Sequence, residues 1–97
     1  MSKDKSQILK LLLELKPELS SRFYVSELGV FGSLAKGGFD GESDVDILVE
    51  FDQPAGWLFF DLKFFLEEKL GREVDLVTKR SIRPQWQKEI LESTVYV

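Results

Sequence analysis

Hydrophobic positions along the chain follow two periods in turn. From residue 6 to residue 19, Ile8, Leu12, Leu15 and Leu19 recur at helical spacing, and Leu9, Leu11 and Leu13 widen the apolar side, which predicts an amphipathic helix. Asp4 or Ser6 is placed to cap its start, while Pro17 unsettles its last turn. Residues 23–31 read as a strand that Gly32 breaks, and Ser33, Leu34, Ala35 and Lys36 read as a short helix opening directly after it. Gly37, Gly38, Asp40 and Gly41 suggest a flexible connection. Residues 45–51 form the clearest strand, followed by the turn residues Asp52, Gln53, Pro54 and Gly56. Helical spacing returns over 57–70 and ends at Gly71, a C-cap candidate. Residues 73–78 predict a third strand. A last helix runs from Pro84, suited to a first turn, to Leu91, and the apolar tail from Thr94 to Val97 suggests a short extended segment.

The resulting order, α-β-α-β-α-β-α, predicts a small α/β (α+β) fold: a short mixed sheet with helices packed on it, in one domain spanning residues 1–97. No internal repeat, low-complexity tract or linker interrupts it.

Composition narrows the chemistry. The chain has neither cysteine nor histidine, which excludes disulfides, thiolate or imidazole metal sites and a histidine general base. A metal bound here must be a hard cation held by oxygen, which points to Mg²⁺ or Mn²⁺. A net charge of −4 argues against direct nucleic-acid binding, because phosphate contacts need basic surface. The charged start lacks a signal-peptide pattern, and the apolar runs are too short to span a bilayer, so the expectation is a cytoplasmic protein without membrane attachment.

Asp44 and Asp46 lie one residue apart at the start of a strand. Strand side chains alternate, so both carboxylates face one way while Val45, Ile47 and Val49 face the core. Adjacent acids repel and resist desolvation, and a divalent cation removes that penalty. Asp75 sits between Val74 and Leu76 in the same alternating context. If the two strands are neighbours, three carboxylates can hold two cations, roughly 3.5–4 Å apart in such sites. Gly32-Ser33 lies at a strand-to-helix junction, where glycine lets the backbone approach a phosphate and the Ser33 hydroxyl can donate to it. Each feature alone has an ordinary reading: Asp-x-Asp as a surface pair, Gly-Ser as a turn, Asp75 as a solvated strand residue. Their consistent places in one α/β order carry the catalytic reading.

The stretch VFGSLAKGGFDGESDVDILVEF resembles the signature of nucleotidyltransferases related to DNA polymerase β: Gly-Ser, ten intervening residues, then Asp-x-Asp. GREVDLVTKRSIRP looks like the third-acid strand of the minimal nucleotidyltransferase group, and KEILESTVYV resembles that group's ending. The resemblance implies that Gly32 and Ser33 hold the triphosphate of ATP or another nucleoside triphosphate. It further implies that Asp44, Asp46 and Asp75 hold two Mg²⁺ ions and form the catalytic set. Members of the group are commonly antitoxins paired with a HEPN-type ribonuclease toxin, and some move AMP from ATP to a tyrosine of that toxin. That is the activity the resemblance implies here. Two alternatives stay open: an antitoxin acting by binding alone, and transfer to a small acceptor such as an antibiotic.

Two further features each carry two readings. On helix 57–70, Leu58, Leu62, Phe65 and Leu66 form one apolar stripe, assigned to the core, and Trp57, Phe60 and Phe64 form a second. Either the N-terminal helix covers the second stripe or a partner does, in a hetero- or homo-oligomer. Lys79, Arg80 and Arg83 follow the third acid and either neutralise triphosphate charge or form a solvated basic turn. Glu50 shares a face with Asp44 and Asp46 only in a regular strand and is left out of the site.

Overall fold

The computed structural model describes residues 4–36 and 44–97. The connection read at Gly37, Gly38, Asp40 and Gly41 lies outside the described residues. In chain order the elements are α1 (Lys5–Phe23), β1 (Val25–Phe31), α2 (Gly32–Lys36), β2 (Val45–Phe51), α3 (Leu58–Leu70), β3 (Val74–Val77), a 3-10 turn (Lys79–Ser81), α4 (Pro84–Ser93) and β4 (Val95–Tyr96). The strands form one mixed sheet in the order β3-β2-β1-β4. β1 runs antiparallel to both β2 and β4, whereas β2 and β3 are parallel.

α1 begins at a capping box. The Asp4 carboxylate accepts from the Gln7 N–H, and the Gln7 side chain accepts from the Asp4 N–H, so two donors the helix cannot use are satisfied. The helix passes through Pro17 and ends four residues later than the spacing to Leu19 suggests. Pro17 removes only the bond to the Leu13 carbonyl, and Leu13 is 58% exposed, so water can reach that turn. Phe23, read as the start of a strand, instead extends the buried α1 stripe and packs its ring 5.3 Å from that of Phe65. Tyr24 then closes the helix in the left-handed region, and β1 starts at Val25.

Strand alternation splits the sheet into two faces. On one, Val45, Ile47 and Val49 join Leu28, Val30, Val74 and Leu76 beneath α1 and α3 as the main core. On the other, Phe31 and Leu48 pack with Ile82, Ile90 and Leu91 beneath the 3-10 turn and α4. The acids of β2 and β3 belong to this second face. Leu62, Leu66 and Leu70 dock α3 on the first face, and Gly71 caps that helix at φ 69°. Pro84 opens α4 at its first position.

The tail is a short edge strand. Val95 pairs with Val30 and Tyr96 with Gly29, while the Lys16 ammonium donates to the Val97 carbonyl at 2.8 Å. Gly29 has no room for a side chain, since a β-carbon there would stand 2.7 Å from Thr94 Cγ2.

A carboxylate pair beside a glycine junction

Asp46 and Asp75 are register partners on adjacent parallel strands, and Phe31 is the partner of Asp46 on the other side. The start of β2, the start of β3 and the end of β1 therefore meet at one end of the sheet. The start of β3 is held there twice. The Val45 N–H donates to the Glu73 carbonyl at 3.0 Å, and the Val74 N–H donates to the Glu67 carboxylate at 3.0 Å. Glu67 was not singled out in the sequence, because its partner lies beyond the turn that closes α3.

Asp46 is half-buried. Its carboxyl is pushed up from 3.8 to about 6, first by lost hydration, then by the charges of Asp75 and Asp44, and by a side-chain hydrogen bond with Asp75. Two carboxyls brought this close need a proton or a cation to offset their charge, and an all-oxygen donor set suits Mg²⁺ or Mn²⁺. Asp46 and Asp75 fit that role as they stand. Asp44 is exposed and precedes β2 by one residue, adding its charge to Asp46. Among the described residues no three acidic side chains are already gathered around one point, so Asp44 stands beside the pair and does not close on it.

Gly32 supplies the other wall. It sits at φ 68°, and a β-carbon there would overlap Asp46 Oδ2 and lie 3.1 Å from Asp46 Cγ. The residue is therefore fixed as glycine twice, by its backbone angle and by the carboxylate pressed against it. Ser33 is the second residue of α2, directly after this junction.

The basic cluster lies elsewhere. β3 is parallel to β2, so Lys79, just past the end of β3, stands at the opposite end of the sheet from Asp46. Its N–H donates to Glu50 Oε1 at 2.7 Å and its ammonium to Glu27 Oε2 at 2.8 Å. Four residues of strand separate Asp46 from Glu50, about 13 Å. Glu27 and Glu50 are cross-strand partners, and Lys79 offsets their repulsion. Arg80 lines a cleft with Glu50, Gln53 and Thr78 at that same far end. Arg83 directly precedes α4 and follows Ile82, which packs with Phe31 and Leu48 on the second face. The triphosphate reading of Lys79 and Arg80 is thus corrected: strand direction carries them away from the acids. Glu50 is likewise occupied far from Asp46.

The second stripe of α3 is open. Trp57 is 84% exposed, Phe60 50% and Phe64 61%. α1 packs against α3 without covering them, which corrects the reading in which it buries that stripe. Because α3 covers the face opposite to the acids, these aromatics lie across the sheet from Asp46.

Residues 12–97 match the nucleotidyltransferase domain family. The chain is 45% identical over 92 residues to the protein adenylyltransferase MntA of Thermococcus cleftensis, covering 94% of this chain and 93% of that one. Among solved structures it resembles a protein assigned as a minimal nucleotidyltransferase, with TM-score 0.79 and 31% identity, over 96% of this chain and 95% of that one. The fold also recurs in a toxin–antitoxin structure with AMP-PNP, with TM-score 0.67 and 24% identity, over 97% of this chain and 72% of that one. An acid pair on adjacent strands, a glycine junction against it and these likenesses agree, and the chain belongs to the nucleotidyltransferase family as one of its minimal members.

Proposed function

We propose that the protein moves AMP from ATP to a hydroxyl on a partner protein, a tyrosine of a HEPN-type toxin, and thereby acts as that toxin's antitoxin in the cytoplasm. The observation that carries this reading is the placement of Asp46 beside its register partner Asp75 and against the backbone of Gly32. The 45% identity to a protein adenylyltransferase supports the class of acceptor.

In this reaction the acceptor hydroxyl oxygen attacks the α-phosphorus of ATP. The bond from that phosphorus to the bridging oxygen breaks, and pyrophosphate leaves. The hydroxyl proton passes to the Asp75 carboxylate. Gly32 and Ser33 hold the triphosphate, with the glycine permitting close backbone approach and the serine hydroxyl donating to a phosphate oxygen. Asp44, Asp46 and Asp75 would hold two Mg²⁺ ions, which supply charge neutralisation and a more acidic hydroxyl. Phosphoryl transfer depends mainly on positioning and electrostatics, so a scaffold of this size suffices.

A second reading, neutralisation by binding alone, is favoured by one observation: the exposed Trp57, Phe60 and Phe64 lie on the face of the sheet away from the acids. Changing Asp44 and Asp46 together to asparagine separates the two readings. Loss of toxin neutralisation with the complex intact supports catalysis, and retained neutralisation supports binding alone.

A further inference from the structure

The corrected position of the basic cluster leaves a question at the end of the sheet where the acids stand: what holds α2 in place? α2 has five residues, too few to be stable by itself. Yet its first residue must lie against Asp46 to within a β-carbon's width. Leu34, fully buried, anchors its middle. At its other end the Lys5 ammonium donates to the Ala35 carbonyl at 3.3 Å. A short helix leaves its last carbonyls without partners, and a cation there also meets the negative end of the helix dipole.

Lys5 is an odd choice for its own helix. It occupies the first position of α1, and the first turn of α1 contains no acidic residue. A positive side chain at a helix start is unfavourable, so α1 gains nothing from its charge. The capping box formed by Asp4 and Gln7 fixes the turn from which Lys5 projects. A residue that works against its local element while reaching a partner thirty positions away marks a long-range role.

We propose that Lys5 is a positioning residue for the nucleotide turn: it ties α1 to the end of α2 and so keeps Gly32 seated against Asp46. This rests on the nucleotidyl-transfer reading, because it presumes that the Gly32 turn receives the triphosphate. Loss of the tether leaves the acids intact but lets the turn drift, so it weakens nucleotide binding more than it weakens the fold.

The test compares Mg·ATP binding to the wild type, Lys5→Met and Lys5→Arg by calorimetry, together with thermal melts of the free proteins. The expected result is an ATP Kd raised about fivefold in Lys5→Met, the scale of one typical net hydrogen bond. The free protein should melt within about 2 °C of wild type, as surface substitutions do, and Lys5→Arg should restore the Kd. An unchanged Kd in Lys5→Met, beside a wild type that binds ATP, overturns the inference and leaves nucleotidyl transfer standing. A weaker Kd that tracks a large fall in melting temperature, without rescue by arginine, also overturns it in favour of general destabilisation. A wild type that fails to bind Mg·ATP overturns both.

Discussion

Replacing Asp46 with asparagine should stabilise the metal-free protein above neutral pH. The folded state raises the Asp46 carboxyl from 3.8 to about 6, so it binds the proton more tightly than the unfolded chain does. Stability from that proton is complete below about pH 3.8 and is lost as pH rises through about 6. Above that range the ionised group is held at a cost. At roughly 1.4 kcal/mol per pH unit the whole difference is about 3 kcal/mol. Asp46 is only half-buried, and water screens part of this, which leaves roughly 1–2 kcal/mol. Asparagine keeps the shape, removes the charge and can donate to Asp75. In a chain of 97 residues, that gain raises the melting temperature by about 5–10 °C. Thermal melts in a chelator, at about pH 4.5 and about pH 8, measure it: the gain should be large at the higher pH and small at the lower. Adding Mg²⁺ should raise the wild type and leave the variant nearly unmoved. A variant no more stable than wild type at the higher pH, or a gain equal at both, would refute the electrostatic account of this pair.

Two other substitutions probe the neighbouring claims. Gly32→Ala combines a strained φ, roughly 1–3 kcal/mol, with an overlap against Asp46, so it should lower the melting temperature and abolish ATP binding by calorimetry. ATP binding at wild-type affinity would show that the junction is looser than its geometry implies. Phe60→Asp alters a half-exposed side chain, so the free protein should melt within about 2 °C of wild type while the complex with the toxin is lost on size-exclusion chromatography. Unfolding of this variant would instead assign the aromatic stripe to the core.

Much of the site was legible because it depends on local rules. Strand alternation alone puts Asp46 and Asp75 on the same side as each other and opposite to Ile47 and Leu76, and the register pairs them directly. What the sequence hid depends on direction and distance. Nothing in the composition of Lys79 and Arg80 reveals that β3 runs parallel to β2, which carries them to the far end. Pro17 looks like a terminator until the turn it disrupts proves to face solvent. Leu19 to Phe23 continues the helical stripe, yet aromatic and β-branched residues after Ser21 equally suit a strand, and only the packing of Phe23 on Phe65 decides. The exposure of Trp57, Phe60 and Phe64 is set by where α1 crosses α3, which periodicity does not contain. Lys5 and Ala35 meet only through the fold.

Transfer of label from α-³²P-ATP into the host's soluble proteins, with Mg²⁺, tests the central claim most directly. The wild type is compared with the form carrying both Asp44→Asn and Asp46→Asn. The account predicts one labelled protein band that requires both acids and whose mass identifies the toxin. ATP binding without any acid-dependent band would contradict it and turn the function toward neutralisation by binding alone or toward a small-molecule acceptor.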